Sequence, residues 1–119
     1  MVRQIFCIIA MAVPTIANAD IITCNFTEPF VTTIYSTSQN TLSVYYKAER
    51  RQEVLRNISF QIIQAGRFEL WDTNRRPVQR LELTFKGSDG MSDKLYPYDA
   101  HWISNDLRGG CTSIHLGAR

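Results

Sequence analysis

The chain is expected to be all-β, a small antiparallel barrel or sandwich of about seven to eight strands. Apolar and polar residues alternate with period two through much of the sequence after residue 20. Turn-forming clusters recur at short intervals, at Ser38-Gln39-Asn40, Ala65-Gly66, Thr73-Asn74-Arg75, Asp89-Gly90 and Asn105-Asp106. Connections this short join antiparallel neighbours. No segment carries a broad helical stripe.

The strands follow in order. Asp20 to Cys24 is the first candidate. In Thr41 to Lys47, Leu42, Val44 and Tyr46 share one face. Ala48 to Asn57 spaces Ala48, Arg51 and Leu55 at roughly helical intervals, but three apolar residues in ten make a poor buried stripe, so it reads as an irregular or strand-like crossover. Phe60 and Ile62 alternate with polar neighbours, as do Phe68 and Leu70, then Leu81, Leu83 and Phe85. Tyr96, Tyr98, Ala100 and Trp102 share a face after Pro97, whose missing amide hydrogen suits a strand start or edge. Tyr35, Tyr45 and Trp71 are read in the outward phase, as aromatics available for a contact patch.

The first nineteen residues read as a cleaved signal peptide, leaving Asp20 to Arg119 as a single domain. Arg3 provides the positive end, Ile5 to Val13 an apolar stretch too short for a bilayer, and Ala17-Asn18-Ala19 a small-x-small cleavage site. The expected location is periplasmic or secreted, without stable membrane insertion. Of the cysteines, Cys7 leaves with the leader, and the even pair Cys24 and Cys111 is expected to form a disulfide in an oxidising compartment. These residues fall in the first and last strand candidates, which become neighbours in a meander that closes on itself.

Without Arg3, twelve Lys and Arg face eleven Asp and Glu, a formal charge of +1. That is too little to favour nucleic acid or an anionic membrane. Catalysis finds no support: His101 and His115 are the only imidazoles, and there is no Gly-x-Ser-x-Gly elbow. Asp89, Ser92 and Asp93 offer oxygen atoms but not the ligand spacing of a calcium loop, so no metal or cofactor is expected. Asp89-Gly90 instead reads as an Asx turn with a positive-φ glycine, and Ser92 or Asp93 as bonding nearby amides.

The most specific text is Ser88-Asp89-Gly90-Met91-Ser92-Asp93, a Lys94-Leu95 spacer and Tyr96-Pro97-Tyr98, with Gly110-Cys111 beyond. Near the start stands Cys24-Asn25-Phe26-Thr27-Glu28-Pro29-Phe30. Together these resemble a family of small bacterial periplasmic proteins of unassigned function. Val31 replaces a usual Trp, and Gly87 a cysteine common in that family. The resemblance covers both ends of the mature chain and hardly touches Ser36 to Phe85. It implies an envelope location and a fold more than an activity. The architecture also looks like that of the small bacterial inhibitors of animal-type lysozyme.

The sequence reading is thus a non-enzymatic binding domain whose partner is an envelope or host protein, a lysozyme in its concrete form. A carrier of a small apolar or glycan ligand inside the barrel is the alternative, and a hydrolase a remote one. The binding candidates are Glu28, Asp89, Met91, Ser92, Asp93, Tyr96, Tyr35, Tyr45 and Trp71. Oligomeric state is left open.

Overall fold

A computed structural model of the protein describes residues 20–27 and 29–113. The leader, Glu28 and His115 lie outside the described residues. Among the described residues there are nine strands: β1 (Ile21–Phe26), β2 (Val31–Ser36), β3 (Thr41–Tyr46), β4 (Arg51–Leu55), β5 (Ser59–Gln64), β6 (Arg67–Trp71), β7 (Pro77–Gly87), β8 (Tyr96–Trp102) and β9 (Leu107–Ser113). They form one sheet in the order β4-β3-β2-β1-β9-β8-β7-β6-β5, antiparallel at every step.

That order explains why nine strands appear where about seven to eight are expected from the sequence. Alternating directions along the order leave its two ends, β4 and β5, pointing the same way. Only Arg56, Asn57 and Ile58 lie between them. Such a link spans at most about 14 Å, whereas a flat sheet of this many strands would hold its edges roughly 38 Å apart. The sheet therefore curls until its edges approach, and β4 runs into β5 as one bent strand of an eight-strand circuit. Following cross-strand partners from Gln52 on β4 around the sheet leads back to Gln64 on β5, twelve positions further along the same bent strand. This stagger is why the halves pair with different neighbours, β4 with β3 and β5 with β6.

Hairpin chemistry sets the turns. The loops at 37–40, 47–50 and 103–106 each end on a residue with positive φ: Asn40 at 55°, Arg50 at 53° and Asp106 at 52°. Asn and Asp adopt this conformation readily. In the β6–β7 turn, Asp72 Oδ1 accepts the amides of Asn74 at 2.8 Å and Arg76 at 3.0 Å. Ala48 to Asn57 resolves into a tight turn and the short strand β4, the strand-like outcome.

The interior is filled by side chains meeting across the curl. Ring contacts run from Tyr35 on β2 to Phe60 on β5 (6.4 Å), Phe68 on β6 (5.2 Å) and Tyr98 on β8 (5.9 Å). Ile22, Phe26, Leu42, Val44, Leu70, Leu81 and Trp102 complete the core. A buried polar bridge crosses it: Thr33 Oγ1 donates to Gln79 Oε1 at 3.1 Å, and Gln79 Nε2 approaches Cys24 Sγ at 3.1 Å. Both ends of the Gln79 amide are thereby satisfied, as burial requires. Cys24 and Cys111 sit directly opposite on β1 and β9 and form the expected disulfide, fully buried.

Two side chains lie where the sequence does not place them. Tyr35 points inward and is 0% exposed. In Val31-Thr32-Thr33-Ile34-Tyr35, reading Ile34 as the core face sends Tyr35 out; the true inward set is Val31, Thr33 and Tyr35, with buried Thr33 disguising the period. Burial pushes the Tyr35 phenol up to about 12. The second correction concerns Tyr96, which does not share the inward face of Tyr98, Ala100 and Trp102. It is buried outside the core cluster, over the outer wall at Gly110. Beside it β7 is irregular: between the pairs Leu83–Tyr98 and Gly87–Tyr96 it spends four positions against two on β8, with Phe85 at φ 60°.

Candidate functional site

The two sequence motifs, far apart in the chain, meet on the outer wall formed by β8, β9 and β1. Beyond the bulge, Gly87 crosses the Tyr98–Asp99 peptide, where an added Cβ would collide with the Tyr98 carbonyl. The loop then descends across β9 to β1, and Gly90 (φ 81°) sits against Thr27 of the Thr-Glu-Pro-Phe turn. At Gly87 the backbone leaves no room for a side chain, and at Gly90 the positive φ strains any residue other than glycine.

Asp89 organises the loop. Its Oδ1 accepts the amides of Met91 and Ser92, both at 2.8 Å, and its Oδ2 accepts the Ser92 hydroxyl at 2.9 Å and the Tyr96 hydroxyl at 3.0 Å. The Ser92 and then the Met91 amide, helped by the two hydroxyls, hold its carboxyl well below the usual carboxylate range. Ser92 Oγ in turn accepts the Lys94 amide at 3.3 Å, and Ser88 Oγ the Gly90 amide at 3.0 Å. The expected Asx turn, positive-φ glycine and serine cap are all present.

Tyr96 lies over Gly110. An added Cβ there would stand 2.7 Å from the ring, so Gly110 is the vacancy the aromatic fills. Lys94 Nζ stands 4.9 Å from the ring centroid. Burial first, then the Asp89 carboxylate, raises the Tyr96 phenol, and Asn25 lies beside it. Asn25 Oδ1 accepts the Thr32 hydroxyl at 2.8 Å, extending the network from the loop to β2. The spacing of the Tyr-Pro-Tyr and Gly-Cys motifs thus has one cause. Tyr96 covers Gly110, while the next residue, Cys111, turns inward to the disulfide opposite Tyr98.

This scaffold holds apolar side chains out to solvent among polar ones. Met91 is 65% exposed and Leu95 66%, flanked by exposed Ser92, Asp93 and Lys94, and Phe30 follows Pro29 on the adjoining turn at 44%. Leu95 and Phe30 were not among the binding candidates, although both lie within the quoted motifs. Of the other candidates, Asp89 and Tyr96 are buried in the scaffold, and Glu28 lies outside the described residues. Tyr45 and Trp71 are half-buried on β3 and β6, and no aromatic patch joins them to Tyr35, which is in the core. Trp71 Nε1 donates to Glu69 Oε1 at 2.8 Å.

A cleft of about 480 Å³ opens on the outer face of β6 to β9, among Arg67, Glu69, Arg80, Glu82, Asp99 and His101. Its charges largely pair across strands, Arg80 Nε with Glu69 Oε2 at 2.9 Å and Arg67 Nε with Glu82 Oε2 at 3.6 Å. His101 Nε2 lies 2.8 Å from Asp106 Oδ1. Such exposed ladders add little stability each and are an ordinary way to solvate a strand face. Among the described residues no group of three or more His, Cys, Asp or Glu is placed to hold a metal ion. No helix among them is long and apolar enough to cross a membrane.

Comparison with protein-family models gave no match, and neither did comparison with curated proteins or with solved structures.

Proposed function

We propose that this protein acts by binding, as a non-enzymatic domain of the bacterial envelope whose contact surface is Met91 to Leu95 with Phe30. One observation carries the reading: the loop is fixed by four hydrogen bonds to Asp89, two from backbone amides and two from the Ser92 and Tyr96 hydroxyls, yet its apolar side chains are held out in water. Apolar groups on a pre-ordered loop associate with little loss of conformational entropy, and a protruding, stapled loop fits the cleft of a larger partner. The buried disulfide suits an oxidising, exported setting, in line with the Ala17-Asn18-Ala19 cleavage site. The filled interior favours this reading over a carrier of ligands inside the barrel. The partner is an envelope or host protein, and a lysozyme is the version to test first.

The test is titration of the mature protein against purified animal-type and bacterial lysozymes, with capture from periplasmic extract in parallel. Met91→Asp with Leu95→Asp should abolish complex formation while moving the melting temperature little, because both side chains are solvated before binding. Undiminished capture by this double variant would reject the loop as the contact surface.

A further inference from the structure

Among the described residues the sheet ends in two edges without a strand partner, β4 and β5, and they differ in kind. The β4 edge reads Arg51-Gln52-Glu53-Val54-Leu55, with charges of the sort that keep edge strands from pairing. The β5 edge reads Ser59-Phe60-Gln61-Ile62-Ile63-Gln64, with no charge, no proline and no glycine. Ile62 is 69% exposed and Ile63 46%. The bulge in β5 falls after Ile62, so Ser59 to Ile62 remain regular and able to pair.

We propose that β5 pairs with β5 of a second copy of this chain, antiparallel about a two-fold axis at Gln61. Three observations select a second copy. The strand is self-complementary in this register: Gln61 faces Gln61, and Phe60 of one copy faces Ile62 of the other, an aromatic opposite a β-branched residue. The same operation on β4 would set Glu53 against Glu53, a like-charge pair. The contact also closes on itself, since two-fold pairing consumes the one uncharged edge of each copy and stops at a dimer.

The dimer would leave the Asp89 loop free. That loop covers β8, β9 and β1, in the middle of the strand order, while β5 stands at its end. Two copies joined through β5 therefore present two loops on far sides, so a multivalent partner would be held by both. The pairing itself does not depend on what the loop binds.

Sedimentation velocity of the mature, oxidised protein over a concentration series should show monomer passing to dimer and no further. A short strand pair is a small interface, so the midpoint is expected in the high-micromolar range, on the order of 100 μM. Ile62→Lys should raise the dissociation constant at least about tenfold without unfolding an exposed site. Gln61→Cys should give a covalent dimer on mild oxidation, whereas Glu53→Cys should not. Monomer mass up to about 1 mM, assembly beyond dimers, or equal cross-linking of the two cysteine variants would overturn the proposal.

Discussion

The barrel closes in two places, and the two closures are built differently. On the β8-β9-β1 wall, a disulfide joins facing residues, glycines let chain segments touch, and a buried carboxylate draws a long loop down over the strands. At the seam between β4 and β5 there is no ladder. Ile58, 2% exposed, is the pin: its amide donates to the Asn40 carbonyl at 2.9 Å, and its own carbonyl accepts the Tyr35 hydroxyl at 2.8 Å. Charge on this side is solvated, as where Arg51 lies 3.8 Å from the Tyr46 ring centroid and 2.9 Å from Glu49. A chain that joins its own ends covalently can leave its middle to close by packing and two hydrogen bonds.

The largest test of that contrast removes the covalent tie. Cys24→Ser or reduction releases a loop 87 residues long in sequence and should destabilise by about 3–4 kcal/mol, lowering the melting temperature by many degrees. A midpoint within about 2 °C of the oxidised protein would place the strength of that wall elsewhere. Gly110→Val comes next. Its side chain would meet the Tyr96 ring and must evict it, at about 1–3 kcal/mol by overpacking. Amide exchange in the Asp89 loop should then rise sharply. No change in that protection would show that Tyr96 does not anchor the loop.

At the seam, Tyr35→Phe keeps the ring stack and deletes only the hydroxyl, leaving the Ile58 carbonyl without that partner, for about 1–2 kcal/mol. Exchange protection should fall at Ile58 and along β5 and be retained on β9. Uniform loss over the molecule would mean that the two closures are one cooperative unit.

The smallest effect is expected from Asp89→Asn, read against pH. The Asp89 carboxyl is depressed when folded, so its stabilising contribution is complete above the unfolded carboxylate range and disappears only as pH falls through its own lower value. Wild type should lose this contribution in strong acid, well below pH ~4, and the variant should show a flatter acid limb of melting temperature against pH. Parallel acid limbs would rule out Asp89 as a titrating anchor.

How far the sequence reached differs between the two closures. The wall was partly legible: Cys24 and Cys111 as a pair, Asp89-Gly90 as an Asx turn, and the motifs themselves all have local signatures. That Thr27 and Gly90 touch had no such signature, because contact across more than sixty residues depends on how strands are ordered. The seam was almost illegible. Five strand residues with little apolar alternation gave no period to read in β4, and Thr33 inverted the apparent phase of β2.

By itself the sequence determined the all-β class, most strand positions and the cysteine pairing, since period-two burial, turn residues and an even cysteine count each act locally or by elimination. Tertiary structure decided the rest. The stagger of twelve positions gave β4 and β5 different pairing neighbours, and the approach of the Tyr96 ring to Gly110 put it on the wall rather than in the core. Both are properties of the whole curled sheet, in which each strand's place depends on the registers of its neighbours, and no window of the sequence contains that sum.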